Sequence, residues 1–212
     1  MDRIGIVFFD IDGTLIDMER REITPRTVEM LRRLKENGVL LCLATGRGPL
    51  TLPHFEGMEF DAFLTFNGSC CFSGEGTIFS NPLPGEDVQV ILRNAASIHR
   101  PVSIATRDRL VANGRDEDLA EYFSFAGRAV DIIPADGGKG EGIRQILSHY
   151  HMDRSAALAF GDGDNDIEML RAVGHGVAME NASRQVKAAA DDICGAAVED
   201  GVYHYCLDHG LL

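Results

Sequence analysis

Ile4-Gly5-Ile6-Val7-Phe8-Phe9 runs without polar interruption or alternation and stops at Asp10-Ile11-Asp12-Gly13-Thr14. A strand wetted on one face alternates apolar and polar side chains. An unbroken run belongs to a strand covered on both faces, as at the centre of a parallel sheet. Asp10, Asp12, Gly13 and Thr14 then fall at the strand's carboxyl end, the edge where open α/β sheets bind ligands. Taken alone, Asp-x-Asp-Gly-Thr is equally an ordinary turn, since Asp and Gly favour turns for local reasons.

The segments that follow repeat the pattern. Thr24-Pro25 reads as an N-cap followed by proline at the first helical position. Val28, Leu31 and Leu34 form that helix's core-facing stripe, and Asn37-Gly38 stops it. Val39 to Ala44 is a second unbroken apolar run, ending in Thr45-Gly46-Arg47-Gly48, and Asp61 to Phe66 a third, ending in Asn67-Gly68. Strand, helix, strand, turn and strand is the rhythm of an α/β sheet.

Between residues 82 and 134 the rhythm breaks into a small α+β insert. Pro82 and Pro84 bracket a turn, and Val88, Ile91, Leu92 and Ala95 share a helix face. Val102–Ala105 and Leu110–Ala112 read as short strands around Thr106-Arg107-Asp108-Arg109; a helix from Asp116 to Phe123 and a strand at Val130–Ile133 complete it. The core therefore comprises residues 1–81 and 135–212. Its second part offers a helix opened by Lys139, with Ile143, Ile146, Leu147 and Tyr150 inward, and a strand Ala156–Phe160 leading into Gly161-Asp162-Gly163-Asp164-Asn165-Asp166. A helix with Ile167, Leu170 and Val173 inward, a strand Gly176–Met179, a helix capped by Ser183 and a closing helix around Tyr203, Cys206 and Leu207 follow.

Composition sets limits. With 45% hydrophobic and 25% charged residues among 212, the chain has the make-up of a soluble globular protein. It has no apolar run long enough to span a bilayer and opens without a signal-peptide pattern. A formal charge of −13 argues against nucleic acid or an anionic membrane as partner. Five cysteines, an odd number without a Cys-x-x-Cys pair, are expected as reduced thiols in the cytoplasm.

Carboxylates far apart in sequence are thus expected on one sheet edge. If Asp10, Asp12, Asp162 and Asp166 meet, each pair about 4 Å apart costs on the order of 4 kcal/mol at an effective dielectric of about 20. Several such pairs stay ionised together only around a cation, and carboxylate oxygens with retained waters suit Mg²⁺. A bound Mg²⁺ in turn points to a phosphate-bearing substrate. The Thr45 hydroxyl, the backbone N–H groups of the turn after it and the Lys139 ammonium suit that anion. An aspartate can attack phosphorus and carry the group covalently, while a second exchanges the proton.

In order, Asp10-Ile-Asp12-Gly-Thr14, Ala44-Thr45-Gly46-Arg47, Asn67-Gly68, Lys139 and Gly161-Asp-Gly-Asp-Asn-Asp166 resemble the motifs of the haloacid dehalogenase superfamily. More closely they are similar to its Cof-type phosphatases, which carry a C2-type cap between the second and third motifs. The resemblance covers residues 1–81 and 135–212. It implies a Rossmann-like core, Asp10 as the nucleophile forming an aspartyl-phosphate, Asp12 as general acid/base, Thr45 as phosphoryl ligand and Lys139 as stabiliser. It further implies Mg²⁺ held by Asp10, the Asp12 carbonyl and Asp162 with help from Asp166. Thr14 and Asn165 would support the site, and Gly46, Arg47 and Asn67 would line the phosphate side. Two departures stand out: the insert is shorter than usual, and Glu180, expected to face solvent, stands where the family usually has glycine.

Other signals carry less. Gly137-Gly138-Lys139-Gly140 fails as a P-loop, having Ile133 for the first glycine and Gly140 for Ser or Thr. His149-x-His151 lacks acidic or thiol partners and reads as a surface pair; Cys70-Cys71 reads as strand-edge packing. Arg107, Arg109 and Arg115 are candidates to read an anionic substrate from the insert, or else a solvated face. The sequence thus reads as a cytoplasmic Mg²⁺-dependent phosphatase of small phosphorylated metabolites, sugar phosphates among them, with oligomeric state open. A phosphomutase shares its intermediate. A non-catalytic phosphate sensor would need neither Asp10 nor Asp12, and a P-type pump would need membrane spans.

Overall fold

The structure is a computed structural model, and it describes residues 3–18, 22–114, 116–117 and 131–212. Its first strand, β1 (Ile6–Phe9), is fully buried. Two apolar clusters explain the unalternating sequence: Val7 and Phe9 enter one, Ile6 and Phe8 the other. α1 (Pro25–Glu36) starts as expected, with Thr24 Oγ1 accepting the Thr27 N–H at 3.1 Å. Its buried residues are Thr27, Met30, Leu31 and Leu34, so Leu31 and Leu34 face the core as expected, while the buried face is turned by about one residue toward Thr27 and Met30 and leaves Val28 half-buried.

β2 (Leu40–Ala44) and β3 (Ala62–Thr65) join β1 in parallel. The chain then makes a hairpin that the sequence reading missed, β4 (Cys70–Ser73) and β5 (Gly76–Ser80), antiparallel on the sheet's edge. Cys70 and Cys71 are buried, but the other residues of the pair are half-buried or exposed and make no long apolar run. After the insert come α3 (Lys139–His149), β8 (Ala157–Gly161), α4 (Ile167–Ala172), β9 (His175–Met179), α5 (Arg184–Ala189), β10 (Asp192–Cys194) and α6 (Gly201–Asp208). β6 (Ser103–Ala105) and β7 (Leu110–Ala112) form a separate antiparallel pair within the insert.

The sheet order is β10-β9-β8-β1-β2-β3-β4-β5, parallel except for the outer hairpin. The order turns at β1: the chain winds outward through β2 and β3, then returns to the other side at β8. A crevice therefore opens beyond the carboxyl end of β1. One face of the sheet packs on α1 and α6, where Phe160 stacks on Phe9 at 5.7 Å and meets Tyr205 edge-on at 5.5 Å. The other face packs on Ile143, Ile146 and Leu147 of α3 and on Met169 and Leu170 of α4. Tyr150 and Ile167, expected inward, are half-buried, and Leu207 is exposed.

Within the insert, α2 (Gly85–Ser97) half-buries Val88, Ile91, Leu92 and Ala95, the stripe read from the sequence. The β6–β7 turn carries Arg107 onto the outer hairpin. Its Nη1 donates to Thr77 Oγ1 at 2.7 Å, and its guanidinium lies 4.9 Å from the Phe72 ring centroid. Asp131–Ile133, expected as strand, is irregular. Arg115, Val130 and most of the expected helix at Asp116–Phe123 lie outside the described residues.

Candidate active site

Asp10 is the first residue past β1, and its N–H still donates to Phe160 O of β8 at 3.0 Å, so the neighbouring strand fixes its backbone. Its buried carboxylate meets Lys139, the first residue of α3, with Nζ 2.6 Å from Asp10 Oδ1 and 2.6 Å from Asp166 Oδ1. Lys139 reaches this point because Gly138 packs against Gly68. A Cβ on Gly68 would sit 2.1 Å from Gly138 O, and both glycines have positive φ, 93° and 117°. The turn after β3 and the start of α3 therefore touch backbone to backbone.

Asp166 turns its second oxygen on its own loop, accepting the Asp162 and Gly163 N–H groups at 3.0 and 2.9 Å. Asp162 accepts from Thr14 Oγ1 and Asn181 Nδ2, each at 3.0 Å. Gly13, at φ 90°, makes room for it, since a Cβ there would come within 2.2 Å of Asp162 Oδ2. Asn181 also donates to Gly13 O at 3.0 Å, tying the end of β9 to the end of β1.

Asp10, Asp162 and Asp166 each present an oxygen within 4.8 Å of the others. Burial pushes the Asp10 carboxyl well above the usual range; Lys139 opposes and the Asp166 charge reinforces the shift. Burial likewise raises Asp162, to about 6, against the Thr14 hydrogen bond. Burial disfavours the Lys139 ammonium, but Asp10 and Asp166 outweigh it and hold its pKa above the ordinary lysine value. Three carboxyl groups share one ammonium in a largely buried, oxygen-only donor set, which fits a hard divalent cation.

On the β2 side, Thr45 is buried, and its hydroxyl accepts the Arg47 N–H at 3.1 Å. Gly46 lies against the Asn67 amide, 3.2 Å from where a Cβ would stand. Asn67 accepts from Asn165 Nδ2 at 2.8 Å and donates to Asp131 Oδ2 at 3.3 Å, so its amide links the acidic loop to the irregular segment that returns from the insert. Arg47 is paired with Asp12: Nε lies 2.8 Å from Asp12 Oδ2 and Nη2 2.6 Å from Asp12 Oδ1.

The structure thus gathers Asp10, Asp12, Thr14, Thr45, Gly46, Arg47, Asn67, Lys139, Asp162, Asn165 and Asp166 at one sheet edge. It does not bring Arg107 or Arg109 there. Phe72 and Thr77, which hold Arg107, lie three and four strand spacings from β1, roughly 14 to 19 Å. Arg109 is exposed beside Asp108 at 4.0 Å. Asn181 and Asp131 were not anticipated. Asn181 had a signal, a polar residue just past another buried strand; Asp131, in irregular chain, had none. Asp164 accepts from Ser183 instead of joining the cluster, and Glu180 is exposed beside Lys187. Burial pushes the Cys71 thiol up to about 12, as befits packing, and His149 and His151 are exposed. A recess of about 340 Å³ between β10 and α6, lined by Asp192, His204, Tyr205 and His209 among others, holds none of the motif residues.

A mainly parallel sheet with helices on both faces, and with an acidic cluster and a buried lysine at the end of its central strand, defines a Rossmann-like α/β protein with a carboxylate site. The family model described as haloacid dehalogenase-like hydrolase matches residues 7–125 and 113–206, and the chain belongs to that family, among its Cof-type phosphatases. A phosphoglycolate phosphatase of Methanopyrus kandleri is 30% identical over 93% of this chain and 94% of its own length. An HMP-PP phosphatase of Escherichia coli is 27% identical over 96% of this chain and 94% of its own. That alignment runs to 258 positions against the 212 residues here, so the relative carries segments this chain lacks. Among solved structures, the HAD subclass IIB sugar phosphatase BT4131 superposes with a TM-score of 0.90 at 25% identity, covering 98% of this chain and all of that one. A protein of Geobacillus kaustophilus gives 0.87 at 30% identity, covering 99% of this chain and 100% of that one.

Proposed function

We propose that the protein hydrolyses small phosphorylated metabolites, sugar phosphates among them, with Mg²⁺ and through phosphorylation of Asp10. The observation that carries this reading is Lys139, buried between Asp10 and Asp166 with Asp162 alongside. Lys139 holds Asp10 Oδ1, which leaves Oδ2 to attack phosphorus. As the Oδ2–P bond forms, the P–O bond to the alcohol breaks, and Asp12 gives the departing oxygen a proton. Water then attacks phosphorus, Asp12 takes its proton, and the Asp10–P bond breaks to release inorganic phosphate. Thr45 and the adjoining turn orient the phosphoryl oxygens, and Asn67 borders them. Asp10, the Asp12 carbonyl, Asp162 and Asp166 would hold Mg²⁺, which when bound neutralises charge on the phosphoryl group.

Residues 82–134 form the cap in this reading, and the phosphatase names of the relatives support the substrate class. The five cysteines, all buried free thiols, suit a reducing cytoplasm. The test is release of inorganic phosphate from a panel of phosphorylated metabolites, with Mg²⁺ or with excess EDTA. Turnover should require the metal, and Asp10→Asn should lower it by several orders of magnitude. Near-wild-type turnover by Asp10→Asn, or full activity in EDTA, overturns the mechanism.

A further inference from the structure

We infer that Arg47 is the positioning residue for Asp12: its guanidinium fork fixes the plane and direction of the carboxyl group that exchanges the proton with the leaving alcohol. The inference rests on the phosphatase reading and assigns Arg47 a task other than holding the phosphate. All three guanidinium nitrogens are engaged by protein, Nε and Nη2 by the two Asp12 oxygens and Nη1 by Thr51 O at 3.1 Å. The backbone of Arg47 is pinned as well. Its N–H donates to Thr45 Oγ1 at 3.1 Å, and its carbonyl accepts the Phe66 N–H at 3.0 Å. An arginine assembled this way is fixed before any substrate arrives.

The paired geometry also suits the task. A carboxylate offers about four lone-pair directions over two oxygens, and a bidentate fork uses one on each. One direction per oxygen is left toward the substrate, while rotation of the carboxyl plane is blocked. Asp12 is the less buried of the two site aspartates from the first motif, with a quarter of its side chain exposed against a tenth for Asp10. The buried ammonium that holds Asp10 and Asp166 is not bonded to Asp12. Misplacement of a reacting group by about 1 Å costs on the order of 100-fold in rate.

Leaving-group dependence tests this. The kcat/KM value reports the steps up to alcohol release, in which an alkyl phosphate needs a proton donor and p-nitrophenyl phosphate does not. In Arg47→Met the ratio of kcat/KM for an alkyl phosphate to that for p-nitrophenyl phosphate should fall roughly 10- to 100-fold. Arg47→Lys, which keeps the charge but loses the fork, should behave likewise. In an Asp12→Asn background the same substitutions should shift the ratio by less than about twofold, because the effect travels through Asp12. Both substrates are assayed on one preparation, so partial unfolding cancels from the ratio. An equal fall for both substrates would make Arg47 a phosphate ligand and overturn the inference, as would an undiminished effect in the Asp12→Asn background. Absence of phosphate release by the wild type would overturn the phosphatase reading first and this one with it.

Discussion

Asp162 collects opposing forces. Burial raises its carboxyl to about 6, the Thr14 hydroxyl opposes, and Asp166 repels it. An unfolded aspartate titrates near about 3.9, so between roughly pH 4 and 6 the folded chain binds more protons here than the unfolded one. The folded-state pKa is the higher of the two, so this group's contribution to stability is fully present below pH 4 and lost as pH rises through 6. A divalent cation competes for the same oxygens. The gain in Tm on adding Mg²⁺ should therefore be small at about pH 5 and grow toward about pH 7, as read by thermal melts with MgCl₂ against EDTA. A gain that shrinks over that interval would count against Asp162 as a ligand. At this scale the acidic residues and Lys139 were legible because each stands at the end of an apolar run or the start of a helix. The partner of Arg47 was not, since a side chain's choice between a neighbouring carboxylate and a bound phosphate is made by tertiary geometry.

Among elements, the buried parallel strands were legible because burial on both faces removes every polar residue from a run. Both edges of the sheet were missed. β10 is three residues long with an exposed Ile193, and β4 and β5 mix small, polar and aromatic residues on a half-wet surface. The missed hairpin decides what Arg107 does. The turn around Arg107 was visible in the sequence, but where it lands depends on Phe72 and Thr77, whose strands were not recognised. Arg107→Ala should leave KM for phosphate substrates within about twofold. A cation–π contact at an exposed site contributes about 0.5–1 kcal/mol, so limited proteolysis within the insert should accelerate about two- to fivefold. A large rise in KM would return Arg107 to the substrate.

In the whole molecule, the site is assembled from both sides of the insert. Asp10, Asp12, Thr45, Arg47 and Asn67 precede it; Lys139, Asp162, Asn165 and Asp166 follow it. The two halves meet along β1 and β8, paired over Ile6–Phe9 and Ala157–Phe160, and through side chains of both apolar clusters. A break in the chain between Gly114 and Asp131 would leave each fragment with half of the charge pattern and an open sheet edge. Lys139 would have no Asp10 to neutralise, and Asp10 no ammonium. Co-expressed, the fragments should reassociate and release phosphate from p-nitrophenyl phosphate, whereas either one alone should show none. Activity in a single fragment would contradict the shared site. Fused to two partners of interest, such fragments would report an encounter between those partners as the appearance of yellow p-nitrophenolate.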